Sequence, residues 1–323
     1  MYTKTVVLPV DVDEAFALIT EPERLRRWQT VSARVDLRAG GDYRWTVTPS
    51  HNAAGTFREV EPGRRIVFGW GWEGSADLAP DTSIVSIDLE PVAGGTQVTL
   101  THEGLTSKQE EMHAEGWNHY LGRLEKAVAT GDAGPDEWSA APENLDELAA
   151  AEATLAVLQD VLRQLTTEDR AKQTPCAEFT CHDLAEHLFG SMATFGSMAG
   201  VEIAVPRTGP LENKVATMGA QAVEGWRVRG LEGTVPGPHG DIPAVFAAGV
   251  MPVEFLLHAW DMAQGAGKTL TVSDQVVAYV HKLAEQVVPG GRGSSFADAV
   301  TASPDADPME RLAAYSGRRP IAA

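Results

Sequence analysis

A glutamate and a histidine four residues apart inside an apolar run, Glu254 and His258 within residues 253–261, are the side chains whose types and spacing first suggest chemistry. On a helix the two share a face with β-carbons about 5–6 Å apart, close enough to hold one metal ion between them. By itself such a pair belongs to a solvated helix more often than to a metal site. Here, however, the neighbours at steps of three and four are apolar, and a carboxylate left unpaired on that face costs several kcal/mol. A metal ion or a buried ion pair with histidine removes that cost. His187 is expected on an inward stripe with Leu184, Leu188 and Met192, and it offers a third donor. Two histidines and one glutamate around a tetrahedral zinc leave one position open, the arrangement of catalytic rather than structural sites. Glu186 and Asp261 stand where a carboxylate can orient the two imidazoles. Arg227, Arg229 and His239 are candidates for binding an acidic cofactor, although an arginine beside a loop is more often a solvated charge.

These residues require a helical scaffold, and the chain after residue 144 supplies one. Leu145, Leu148, Ala151, Leu155, Leu158, Leu162 and Leu165 recur at three and four over about six turns, as in one member of a bundle. Thr180, with Asp183 three residues on, predicts the start of a second helix carrying His187. Residues 211–229 read as a third helix, 233–242 as a Gly/Pro-rich loop, and the fourth helix carries Glu254 and His258.

The residues before this scaffold have a different period. A strand over 2–10 and two short helices, entered at Asp11 and Pro22, precede strands expected over 31–38, 42–48, 56–60, 65–72, 83–90 and 97–103. Turn signals at Gly40-Gly41, Glu61-Pro62-Gly63 and Ala93-Gly94-Gly95 separate them. A long helix over 107–130 closes this part, with Trp117, Tyr120, Leu121, Leu124 and Val128 on one face. The sheet is expected to curl around that helix and leave an elongated space for a small apolar ligand. His102, His113 and His119 read as solvated or hydrogen-bonded residues, since 113 and 119 do not share a helix face. Trp45, Trp70, Trp72 and Trp117 read as sheet–helix core.

The 323-residue length suits two domains, here 1–138 and 144–323 with a Pro/Ala-rich linker at 139–143. The net charge of −19 is divided almost equally between them, which argues against nucleic acid as a partner. No apolar run approaches the roughly 20 residues that span a bilayer, and residues 1–10 lack the pattern of a signal peptide, so the expected location is cytoplasmic, with no membrane partner. Cys176 and Cys181 match no zinc-ribbon spacing and read as ordinary residues flanking a helix start. Oligomeric state leaves no mark on the sequence.

Two resemblances extend this reading. Residues 12–16, 20–28, Gly40-Gly41-Asp42-Tyr43, 61–65, Gly94-Gly95-Thr96 through Gly104, and Gly116-Trp117 resemble the START-like (SRPBCC) superfamily, most closely the subgroup related to the heat-shock ATPase activator. That likeness implies an α+β helix-grip fold with a ligand cavity and no particular reaction. Thr174-Pro175-Cys176, Asp183 through Leu188, and Glu254 through Ala263 resemble the DinB-like metal-binding four-helix bundles, nearest the group around mycothiol-dependent maleylpyruvate isomerase. The closing Asp307-Pro308 through Leu312 and Gly317-Arg318-Arg319-Pro320 are similar to endings in that group. This second resemblance implies an all-α bundle with His187, Glu254 and His258 as zinc ligands. It also implies a low-molecular-weight thiol such as mycothiol as cofactor, and a small electrophile as the substrate of S-transfer or isomerisation. Water in place of the thiol would make a hydrolase, and a bundle used only for docking would make a non-enzymatic ligand-binding or stress-response protein.

Overall fold

The computed structural model describes residues 1–142, 144–176, 179–237 and 240–321. The chain separates into two compact units, Met1–Asp136 and Glu137–Ala323.

The first unit is an antiparallel sheet closed by helices. Its strands are β1 (Tyr2–Leu8), β2 (Ser32–Val35), β3 (Asp42–Thr48), β4 (His51–Glu61), β5 (Arg65–Trp70), β6 (Ser83–Val92) and β7 (Gly95–Glu103), in the order β1-β7-β6-β5-β4-β3-β2. Helices α1 (Val12–Thr20) and α2 (Pro22–Leu25) fill the crossover from β1 to β2, and α3 (Ser107–Thr130) follows the last strand. Alternation explains the sheet's faces: along β7, Val98, Leu100 and His102 are buried while Thr99 and Thr101 turn outward to meet Thr5 and Thr3 of β1. Strand β4 begins five residues earlier than the period-two pattern suggested, because the polar pair His51-Asn52 and Gly55 interrupt that pattern without breaking the pairing with β3.

Helix α3 starts at a capping box between Thr106 and Gln109 and lays Trp117, Tyr120, Leu121 and Leu124 on the sheet. The buried rings of the sheet meet one another and the helix. Tyr43, Trp45, Phe57, Phe68 and Trp70 contact one another at centroid separations of 4.6–6.4 Å, and Trp117 reaches Trp70 at 5.0 Å.

The second unit is mainly helical. A short helix α4 (Glu137–Ala140), where the linker was expected to begin, precedes α5 (Glu147–Gln164), α6 (Cys181–Met198), α7 (Leu211–Arg229), α8 (Ala244–Ala266), α9 (Asp274–Val287) and α10 (Pro308–Tyr315). Helices α5 to α8 pack on one another, with α8 against both α5 and α6; α9 packs on α8 and α5, and α10 on α9. The unit is not purely α: the stretch read as a loop forms a hairpin of β8 (Thr234–Gly237) and β9 (Gly240–Pro243).

Helix α8 is central, and 17 of its 23 residues are buried. By length and composition it is apolar enough to cross a membrane, although no uninterrupted apolar run in it approaches roughly 20 residues. Its polar exceptions, Glu254, His258 and Asp261, are what broke the apolar run in the sequence. In the fold, 78% of that apolar stretch is buried within the protein, as in a core helix.

Candidate metal centre

Helix α6 begins as the sequence predicts: Thr180 Oγ1 accepts from the Asp183 amide at 3.2 Å while Asp183 Oδ2 accepts from the Thr180 amide at 3.0 Å. The cap sets the phase of α6, burying Leu184, Leu188 and Met192 and leaving His187 at the edge of that stripe. His187 is therefore not an inward residue. Its side chain is 39% exposed, against 17% for Glu254 and 6% for His258, so the three form a gradient from solvent into the core.

The structure brings the three together. One donor atom from each of His187, Glu254 and His258 lies within 4.8 Å of the others. His187 Nε2 is 2.9 Å from Glu254 Oε1, and His258 Nε2 is 3.4 Å from the same oxygen. The two imidazoles stand at 87° to each other with centroids 5.2 Å apart. Ligands about 2.1 Å from a common ion are separated by about 3.0–3.4 Å at octahedral to tetrahedral angles. The His258 separation falls in that range and the His187 separation lies about 0.1 Å below it, and the donor set of two nitrogens and one oxygen suits a divalent ion. The exposed edge at His187 leaves room for a further ligand.

Charge and hydrogen bonding reinforce the geometry. Burial alone would push the Glu254 carboxyl up, but the adjacent His258 charge and bonds from His187, His258 and the Ser191 hydroxyl hold it well below the usual carboxylate range. Burial would likewise depress His258, yet the Glu254 charge and the bond to Asp261 raise it to about 9. A carboxylate between two imidazoles is thus a site that attracts positive charge.

The expected orienting residues divide. Asp261 is fully buried and its Oδ2 lies 3.1 Å from His258 Nδ1, leaving Nε2 directed at Glu254. Glu186 does not serve His187: it is exposed and, among the described residues, has no hydrogen bond to it. Ser191, one turn after His187, instead touches the centre of the cluster, with its Oγ donating to Glu254 Oε1 at 2.6 Å and lying 3.4 Å from His187 Nε2. The His187-to-Ser191 spacing of four was the signal that sequence reasoning passed over. The Phe179 ring lies 5.4 Å from that of His187, at 31° to it.

Arg227 and Arg229 are engaged in the scaffold rather than offered to a cofactor. Arg227 pairs with Glu152 of α5 and Glu224 of α7. Arg229 donates to the carbonyls of Gly230, Glu232 and Thr234 and covers Trp226. His239, the third residue of that expected set, lies outside the described residues. Cys181 is buried at the first turn of α6, where burial raises its thiol, and Cys176 is half-buried; neither is in a disulfide.

The first unit holds a second histidine pair, which the sequence did not bring together. His102 and His113 meet with centroids 4.9 Å apart. Trp117 Nε1 donates to His102 Nδ1 at 3.1 Å, and His102 Nε2 lies 2.9 Å from Ser83 Oγ. Trp70 and Trp72 both donate to His113 Nε2, at 3.2 and 3.3 Å. His119 stands apart, bonded to Asp136. Burial lowers His102 to about 3, with His113 and the N-terminal amine adding to the shift, so the cluster is neutral and internally satisfied.

Helix-closed antiparallel sheet and sequence agree on the first unit's class: residues 9–129 match the family described as Activator of Hsp90 ATPase homolog 1-like protein, and the N-terminal part of the chain is an AHSA1-like domain of the SRPBCC/START-like kind. The chain also belongs to the family of the uncharacterized protein Rv0738 of Mycobacterium tuberculosis. It is 31% identical to that protein over 172 residues, half of this chain and 93% of the relative. A match of that extent exceeds the 136 residues of the first unit, so it takes in part of the helical one. Among solved structures, the AHSA1-like protein RHE_CH02687 from Rhizobium etli is 40% identical, covering 45% of this chain and 90% of that one, with a TM-score of 0.37. DynU16, from the dynemicin biosynthetic locus, is 23% identical with a TM-score of 0.37; the match covers 41% of this chain and 48% of DynU16, about half its length.

Proposed function

We propose that the helical unit binds a divalent metal, with zinc the first choice, through His187, Glu254 and His258, and acts as a thiol-dependent S-transferase or isomerase on a small electrophile. The observation that carries this reading is the convergence of three donor atoms within 4.8 Å, buried on the His258 side and open on the His187 side. The likeness of residues 183–188 and 254–263 to DinB-like bundles of the mycothiol-dependent maleylpyruvate isomerase group supports the thiol.

Bound there, a divalent ion supplies Lewis acidity that lowers the pKa of a thiol, or of water, at the open position. The chain's own residues do the rest. Asp261 holds the His258 ring so that Nε2 faces the site. Ser191 fixes the Glu254 oxygen on the side toward His187. The negative carboxylate keeps the centre's charge at or below that of a lone cation, and the exposed edge admits the second ligand.

The test is metal analysis of the purified chain, followed by turnover of a generic electrophile with and without an added thiol. The reading expects about one zinc per chain, lost in His258→Ala with the helical fold retained, and turnover that requires the thiol. Turnover without thiol would replace it with a hydrolase. Absence of zinc, with unchanged stability in Glu254→Ala, would remove the metal and leave a non-enzymatic ligand-binding protein.

A further inference from the structure

From the end of the chain, 57 residues beyond Asp261, one side chain reaches back into the centre of the helical unit. Arg318 Nε donates to both carboxylate oxygens of Asp261 at 2.9 Å each, and Asp261 Oδ2 in turn faces His258 Nδ1 at 3.1 Å. The arginine side chain is 8% exposed. Its other contacts fix it in that pose: Nη1 donates to Ser316 Oγ at 3.2 Å, Ser316 Oγ donates to the Ala313 carbonyl at 2.8 Å, and the guanidinium covers the Phe296 ring at 5.9 Å.

The backbone is built for the approach. Helix α10 ends at Tyr315, and the Arg318 amide returns to the Ala313 carbonyl at 2.9 Å. Gly317 makes the turn at φ +86°, where a β-carbon would come within 2.7 Å of the Ala297 carbonyl oxygen. A buried guanidinium held by a hydroxyl, a ring and a glycine turn is more than a charge placed to neutralise an acid. Its Nε–H, shared between both oxygens, holds the Asp261 carboxylate in place, and that carboxylate in turn holds the His258 ring at Nδ1.

Resting on the metal reading above, we infer that Arg318 is a positioning residue for the metal centre: through Asp261 it fixes the His258 ring with Nε2 on the ion, so the C-terminal segment is part of the site. Lysine at this place carries the charge but not the planar donor pattern, so it holds the carboxylate less rigidly. Loss of a residue that orients a ligating histidine in this way lowers metal affinity about 10–100-fold.

The experiment uses the full-length chain, zinc alone as probe, and competition with a chromophoric chelator. Arg318→Gln and Arg318→Lys are compared with the parent, with circular dichroism as the check on the fold. Nitrogen-15 NMR of the His258 imidazole reports what a purely structural role would leave unchanged: the Nδ1–H signal in the zinc-free protein, and which ring nitrogen contacts zinc. The expected result is a 10–100-fold weaker zinc affinity in Arg318→Gln, a smaller loss in Arg318→Lys, and a His258 Nδ1–H signal that broadens or shifts in both. Should the glutamine variant fail to fold, the lysine variant decides. A folded Arg318→Lys with parental affinity and parental imidazole signals overturns the inference while leaving the metal reading intact. A parent chain that takes up no zinc refutes the metal reading itself, and with it the inference.

Discussion

The proton held by His258 provides the sharpest test of the site's electrostatics, because it can be read without any metal or substrate. His258 is buried and is nonetheless raised from the ordinary 6.5 to about 9, since the charge of Glu254 and the bond to Asp261 overcome the effect of burial. A group that binds its proton more tightly in the folded state stabilises the fold fully below its unfolded value of about 6.5. That contribution is lost as pH rises through about 9. At about 1.4 kcal/mol per pH unit, the gap corresponds to a contribution on the order of 3 kcal/mol.

The perturbation is Glu254→Gln, which keeps the shape and removes the charge that leads the upward shift. Urea unfolding of chelator-treated protein, followed by circular dichroism at a wavelength dominated by the helical unit, gives the stability at each pH from 6 to 10. The variant should be less stable than the parent at pH 6.5 by roughly that 3 kcal/mol, in line with breaking one partner of a buried pair. The two curves should then converge as pH approaches 10. Parallel curves, with the same gap at pH 6.5 and pH 10, would refute the coupling of Glu254 to His258 on which the electrostatic account depends.

Acid should act on the first unit in the opposite sense. His102 is buried and lowered to about 3, so below pH 6.5 the unfolded chain takes up a proton that the folded one refuses, and stability should fall by about 1.4 kcal/mol per pH unit down to about 3. His102→Gln should flatten that slope in thermal melts monitored by tryptophan fluorescence; an unchanged slope would assign the acid sensitivity elsewhere. Gly317→Ala should destabilise the helical unit by about 1–3 kcal/mol, because alanine meets both an unfavourable φ and the Ala297 carbonyl. Urea titration would show it, and a neutral result would mean that the Ala297 loop yields freely.

Much of the scaffold could be read from periodicity because each unit buries one face per element. The alternation in β6 and β7 and the stripe of α3 are local consequences of pleat and helical pitch, and the capping pair Thr180 and Asp183 announces α6 within four residues. The β8–β9 hairpin was missed since Gly, Pro and a short span give no alternation to detect. The extent of α8 was hidden for a related reason: Glu254, His258 and Asp261 interrupt its apolar run, and its 23 residues are evident as one element only in the fold.

The candidate site divides along the same line. Glu254 and His258 are neighbours by helical pitch alone, so their pairing was legible from four residues of sequence, and Asp261 follows one turn later on the same helix. That His187 meets them, and meets them from the solvent side rather than from the core, depends on how α6 packs on α8, a contact between residues 67 positions apart. The His102–His113 pair likewise exists only because α3 lies on β7. Arg318 is the extreme case, since nothing local distinguishes it from the exposed arginines of the chain. Short-range geometry, set by pitch and pleat, is written in the spacing of residues. The closing of long loops is decided by which buried charge and which buried face need a partner, and for Asp261 only the folded chain shows that the partner is the arginine five residues from its end.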